Sequence, residues 1–304
     1  VKGKKEYSLF AGRNRMSDRI IRASAYEDTV RAFAVDIRNT LDDAIGFHDL
    51  NPLSATALGR ALAGAAMISE MGKSDEAVIT IKIKGKGPMG GLVAVASRNG
   101  TLKGYVVNNN YEDYGDDAQL GVGPLIGEGT LTIVRDLGLK EPYSGTIPLQ
   151  SGEIGDDLAY YFTYSEQVPS LVALGVKLNP DATTRIAAGL IVQLMPGARD
   201  EVISEIEGRL FEAGSASAIF EKTGSPEGML EYLLGNGGLS ITSSRETEYK
   251  CGCSREGMIR GVLSLGRDEL NEIINEQEVV EAVCHFCETK YRFRSSEIKK
   301  LITN

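Results

Sequence analysis

The chain has 304 residues, 42% of them hydrophobic and 25% charged, with a net charge of −9 and a pI near 5.0. That length holds one sizeable core plus a smaller module, and the acidic balance argues against nucleic acid as a partner bound through its phosphates. No apolar run approaches the roughly eighteen residues of a membrane span, and the N-terminus lacks a signal peptide's apolar core.

A membrane partner is therefore not expected. The expected location is cytoplasmic, where thiols stay reduced unless liganded or stressed.

Residues 1–15 are basic and unpatterned, and Met16 opens an amphipathic segment, so the leader is read as an added tail or an upstream extension. Two β segments follow at Arg19–Ser24 and Thr29–Asp36. Asn51-Pro52 then starts a helix to about Met71 whose Ala57, Leu58, Ala61, Leu62, Ala65, Ala66 and Ile68 share one broad face. Gly59 and Gly64 would let that helix approach a sheet closely. A β meander comes next, with strands around Val78–Lys84, Leu92–Ser97 and Leu102–Val107, the last two joined by an Asn99-Gly100 hairpin turn. The glycine-rich stretch from Gly85 to Gly91 lacks the ending of a phosphate loop and joins two strands, so it reads as a turn. After a polar loop at Asn108–Gly123, strands are expected at Leu131–Asp136 and Gly145–Leu149. A helix at Asp156–Gln167 and strands at Leu171–Lys177 and Arg185–Leu194 complete this part.

From Ala198 the texture changes to short amphipathic helices at Asp200–Ala213, Ala216–Lys222 and Pro226–Leu234. Their apolar residues, Val202, Ile206, Leu210, Phe211, Met229 and Leu233 among them, fall at helical spacing. Helices this short are marginal alone and need a surface to lie on. A polar run leads on to Lys250. Beyond it, helices are expected at Arg255–Leu265 and Asp268–Asn275, a strand at Val279–Cys284, a returning segment at Tyr291–Phe293, and a last helix that Ser295 or Ser296 can cap.

All four cysteines fall in this tail: Cys251-Gly-Cys253, thirty intervening residues, then Cys284-His-Phe-Cys287. Cysteine used as a small core hydrophobe would be scattered. Two close pairs match the four thiolates of tetrahedral Zn²⁺, at about 2.3 Å from the ion. A tail of this size rarely buries enough apolar surface to fold alone, and structural zinc supplies about 10–16 kcal/mol. Unliganded thiols or disulfides are the competing readings. His285, flanked by two cysteines, is expected to point outward. Cys251 and Cys253 enclose one residue where zinc ribbons usually have two. A disulfide closed across one residue is strained and easily reduced, so the spacing suits a redox switch as well as plain structural zinc.

Catalytic signatures are missing, and an enzyme is not expected. Only His48 and His285 exist, no nucleophile elbow accompanies His48, and the adjacent pairs Asp42-Asp43 and Asp156-Asp157 read as solvated faces. A zinc-ribbon protein that binds nucleic acid or a partner protein is the alternative. Against it stand the acidic body and the tail's balance, in which nine Lys/Arg offset nine Asp/Glu from Tyr249 to Asn304.

The cysteine arrangement resembles that of the redox-regulated heat-shock protein 33 family. So do the stretches Pro52–Arg60, Gly85–Gly91, Ser165–Ser170 and Gly189–Gly197, and the likeness runs from about Met16 to Asn304. The resemblance implies an α+β core domain at 16–197, a metastable helical linker at 198–250 and a zinc-binding domain at 251–304. It implies that Cys251, Cys253, Cys284 and Cys287 ligate one zinc ion in a reduced, inactive monomer. It further implies that oxidation joins Cys251 to Cys253 and Cys284 to Cys287 and releases zinc. The linker and zinc domain then unfold, and the chain, commonly as a homodimer, holds unfolding client proteins without ATP.

Overall fold

The computed structural model describes residues 16–72, 74–111 and 121–303; the leader at 1–15 and most of the polar loop at 108–123 lie outside them. The chain is α+β, and the described residues form two compact units that part between Lys250 and Cys251.

The first unit opens with strands β1 (Arg19–Ala25) and β2 (Val30–Asp36), then helices α1 (Arg38–His48) and α2 (Pro52–Ser69). Next come β3 (Val78–Gly85), β4 (Gly91–Ser97), β5 (Thr101–Val106), the short α3 (Gly123–Ile126), β6 (Gly129–Asp136) and β7 (Tyr143–Pro148). Helix α4 (Gly155–Tyr164) precedes β8 (Ser170–Leu178) and β9 (Thr184–Leu194). Helices α5 (Asp200–Ala213), α6 (Ala216–Thr223) and α7 (Pro226–Leu234) and strands β10 (Ser240–Glu246) and β11 (Glu248–Tyr249) end the unit.

Two sheets result, ordered β10-β1-β2-β9-β8 and β11-β5-β4-β3-β6-β7. Helix α2 lies between them and is buried on nearly every side rather than along one face. Its alanines and glycines explain this, because small side chains admit a neighbour on each side. A Cβ on Gly59 would meet Leu41 and Val176, and one on Gly64 would meet Leu158 and Ile81. Ile20, Phe33, Val35 and Ile191 of the first sheet and Ile79, Ile81, Leu92, Ala94 and Ile133 of the second close the core around it. The Gly85–Gly91 stretch is the β3–β4 turn, and glycine is required because the backbone around Ile126 packs directly against Gly85.

The outer face of the first sheet is covered by the three short helices. Ile21, Val30, Ile186, Leu190 and Val192 on the strands pack with Val202, Ile206, Ile219, Phe220, Met229, Leu230 and Leu233. Ser215 and Ser225 cap α6 and α7 by accepting the amides of Ala218 and Gly228. Phe211 departs from expectation: it is 88% exposed, so it is no part of the covered surface. The polar run before Lys250 is also ordered. β10 pairs antiparallel with β1, and Arg245 reaches the buried Glu70 at 2.6 Å.

Two carboxylate expectations are corrected. Asp43 and Asp156 are exposed, but Asp42 and Asp157 are buried. Asp42 accepts the Thr184 amide at 2.6 Å, and Asp157 accepts the amides of Gln150 and Ser151. Each buried member satisfies loop amides that would otherwise lack partners.

The second unit holds α8 (Arg255–Leu263), α9 (Arg267–Glu276), the hairpin β12 (Val279–Val283) and β13 (Lys290–Arg294), and α10 (Ser295–Thr303). Its apolar core consists of Val262, Leu270, Ile274, Val280, Phe293 and Ile298. Ser295 does not act as the expected cap; its hydroxyl donates to the Gln277 carbonyl and ties α10 to the end of α9.

Candidate metal centre

The β12–β13 hairpin places the second cysteine pair. Val279–Val283 pairs with the basic and aromatic β13, burying Val280 between the exposed Val279 and Glu281, and five register pairs from Val279↔Arg294 to Val283↔Lys290 bring Cys284 to the hairpin's end. There the chain turns tightly. The Cys284 carbonyl accepts the amides of Cys287 and Glu288 at 3.3 and 2.8 Å, and the Cys284 amide donates to Thr289 O at 3.0 Å. Glu288 takes a left-handed φ of 53° to complete the turn. The first pair sits just before α8, whose N-cap Ser254 accepts the Gly257 amide at 3.1 Å. Thus one pair is fixed by a hairpin turn and the other by a helix start.

All four sulfurs lie within 4.8 Å of one another. Sulfur contacts of 3.7 Å (Cys251–Cys284) and 3.4 Å (Cys253–Cys287) run between the pairs. A tetrahedral ion with sulfur ligands at about 2.3 Å needs ligand separations of about 3.7 Å, so the arrangement is one that can hold a metal ion. All four are thiols; Cys284 is buried and the other three are half-buried. His285 is exposed.

Burial pushes the Cys251 and Cys284 thiols up, so ionising them requires a compensating cation. At Cys287 burial also opposes ionisation, but hydrogen bonds with the hydroxyl and amide of Thr289 and with the Cys253 and Cys251 side chains together hold that thiol below its ordinary value. The Thr289 hydroxyl lies 3.2 Å from the Cys287 sulfur, and the Tyr291 hydroxyl lies 3.1 Å from the Cys253 sulfur. The contact with Cys253 raises the Tyr291 phenol, so its hydroxyl keeps its proton. Sequence reasoning missed both hydroxyls. Thr289 closes the turn just before β13 and Tyr291 is the second residue of that strand, and only the folded hairpin shows that they approach the sulfurs. Nearby cations are committed elsewhere: Lys290 and Arg292 pair with Glu281, and Arg255 pairs with Glu297.

His48, the other candidate base, lies 3.4 Å from the Tyr249 hydroxyl, which donates to the Gly104 carbonyl at 2.9 Å. That is a packing role at the end of α1.

Comparison with known proteins agrees with this picture. The family model "Hsp33 protein" matches residues 18–294. The chain is similar to the 33 kDa chaperonin of Acetivibrio thermocellus, at 43% identity over 288 residues, covering 94% of this chain and 97% of that protein. It is similar to the 33 kDa chaperonin of Lachnoclostridium phytofermentans at 41% identity, covering 95% and 99%. It also superposes on the crystal structure of the 33 kDa chaperonin of Thermotoga maritima with a TM-score of 0.85 and 34% identity, covering 95% of this chain and 98% of that one. The chain belongs to the Hsp33 family of redox-regulated, zinc-binding chaperones, which are not enzymes.

Proposed function

We propose that this protein is an ATP-independent holdase switched on by oxidation of Cys251, Cys253, Cys284 and Cys287. The observation that carries the reading is the convergence of all four sulfurs within 4.8 Å at the root of a unit whose apolar core is six buried residues. A core that small does not fold unaided, so the sulfurs and the fold of residues 251–304 depend on the same ion. Zinc, when bound, keeps the four sulfurs as thiolates and adds about 10–16 kcal/mol to the folded state.

Peroxide takes two electrons from each cysteine pair. One sulfur–sulfur bond forms per pair, and the O–O bond breaks to give two molecules of water once protons are taken up. The proposed bonds are Cys251–Cys253 and Cys284–Cys287. Once the unit loosens, closing a loop of three or four residues costs less entropy than closing one of more than thirty. The oxidised sulfurs no longer serve as four thiolate ligands, and residues 251–304 lose what holds them folded.

Residues 198–250 are the proposed second stage. Their helices are too short to persist undocked, and they hold Val202, Ile206, Met229 and Leu233 against the sheet. Released, these side chains and the sheet face beneath them form a large apolar surface. Such a surface binds unfolding client proteins or a second copy of the chain, giving a homodimer. A cytoplasmic location fits, since a reducing compartment keeps the switch closed until oxidant arrives.

The test is light scattering from a thermally unfolding client. The peroxide-treated chain should suppress aggregation near equimolar ratio, and the reduced chain should not. Equal suppression by both forms, or by neither, would refute the reading.

A further inference from the structure

The first unit carries a basic cleft of about 500 Å³ at one end of the five-stranded sheet. It is lined by Arg22, Arg31 and Arg98, by Ser24 and Ser243, and by one carboxylate, Asp28. In a chain of net charge −9, three guanidiniums gathered at one cleft are not a by-product of general basicity.

Each arginine is held in place. The Arg22 and Arg31 guanidiniums lie 6.0 and 5.6 Å from the ring centre of the fully buried Phe33. Arg31 donates to the Gln193 Oε1 at 2.6 Å, and Gln193, itself fully buried, donates to Ser170. Arg98 is fixed by the Gly72 carbonyl and by Asp75 at 3.3 Å. Neither Arg22 nor Arg31 forms an ion pair among the described residues, and the buried Arg31 Nε has no hydrogen-bond partner. Burial and then the neighbouring Arg22 charge lower the Arg31 pKa, with Arg135 adding to them and the Glu166 carboxylate, itself paired with Arg135, acting the other way.

The strand pairing is irregular at the same place. A bulge in the β1–β10 ladder lies between Arg22 and Ala23, and the extra residue, Thr242, donates its hydroxyl to the Arg22 carbonyl at 3.2 Å. Bulges re-aim side chains and recur beside binding sites. Here the bulge brings β10 to the cleft beside Arg22.

We propose that this cleft binds a phosphate-type oxyanion, gripped by the Arg22 and Arg31 forks and closed by the Ser24 and Ser243 hydroxyls. Guanidinium forks match the paired oxygens of a phosphate, and an anion with two or more charges would neutralise both arginines at once. Because Ser243 belongs to β10, the bound anion bridges β10 to β1 and β2. The site stands on the first unit alone and does not depend on the redox reading.

The test is calorimetric titration of the full-length reduced chain with inorganic phosphate, pyrophosphate and ADP at matched ionic strength. Pyrophosphate should bind saturably at one per chain. The Arg22→Gln/Arg31→Gln double variant should bind at least tenfold more weakly, Arg22→Lys should fall between, and Lys86→Gln, outside the cleft, should match the unaltered chain. ADP binding tighter than pyrophosphate would assign a nucleotide; equal or weaker ADP binding would assign the free anion. Hydrogen exchange on the unaltered chain is the second arm and needs no variant: pyrophosphate should slow exchange of the 240–246 amides. No saturable binding, undiminished binding in the double variant, or unchanged exchange in β10 would overturn the proposal.

Discussion

Tyr291 sets its hydroxyl 3.1 Å from the Cys253 sulfur and 3.2 Å from the carbonyl oxygen of the same residue. One proton faces two acceptors. A thiolate is the charged and stronger acceptor, whereas a disulfide sulfur is a poor one, so the proposed oxidation of Cys253 would turn the proton to the carbonyl. The hydroxyl thereby stabilises the reduced centre and withdraws nucleophilicity from Cys253. Tyr291→Phe should release zinc under peroxide roughly three- to tenfold faster, the equivalent of about 1 kcal/mol. Stopped-flow release into a chromogenic chelator measures it. An unchanged or slower rate would show that Tyr291 only packs.

A proposed site of four thiolates predicts an all-or-none dependence. Cys284 is the buried sulfur, at the end of the hairpin, so Cys284→Ser should lose stoichiometric zinc and leave residues 251–304 unfolded even when reduced. Metal analysis with thiol titration checks this. One tightly held zinc ion in the variant would contradict a four-thiolate site.

Docking of the short helices should be adjustable without touching a cysteine. Leu233 in α7 is fully buried against the sheet, and Leu233→Ala costs about 2–5 kcal/mol at such a position. The variant should suppress client aggregation while still reduced and zinc-loaded. If it is destabilised but inactive until oxidised, helix docking does not gate activity.

Asp18 gives the first unit a pH dependence of unusual sign. Burial raises its pKa from 3.8 to about 6, although the amides of Asn39 and Thr40 favour its charged form. A carboxyl that binds its proton more tightly folded than unfolded stabilises the fold when protonated. Its contribution therefore grows as pH falls from above 6 to below 4, by roughly 3 kcal/mol across that window. A carbon-detected NMR titration should place the Asp18 carboxyl near 6, and Asp18→Asn should flatten stability between pH 4 and 6. A midpoint near 4 would contradict the prediction.

The residues that were legible in sequence are those whose role is local or chemically narrow. Four thiols in two close pairs admit few uses, and Pro52 after Asn51 marks the start of α2, where Asn51 accepts the Ser54 amide. Helix α1 was not legible, because its first amides are capped by Asp18 from across the fold rather than by a neighbour. Strand β10 has the polar sequence SITSSRE and no alternation to read; backbone pairing with β1 orders it. Tyr291 looks like an ordinary strand residue and Thr289 like an ordinary turn residue until the folded hairpin brings their hydroxyls to the sulfurs. Phe211 fitted the apolar spacing of α5, yet α5 buries Val202 and Ile206 and leaves Phe211 in solvent.

The central claim is that oxidising the four cysteines frees residues 198–250 and not the cysteine-bearing unit alone. Hydrogen exchange on the reduced and peroxide-treated chain measures this amide by amide. The account predicts that α5, α6, α7 and β10 lose protection together with residues 251–303 as client-holding activity appears, while α2 and the strands around it stay protected. Protection lost only beyond Cys251, with α5 to β10 unchanged in a fully active chain, would contradict it.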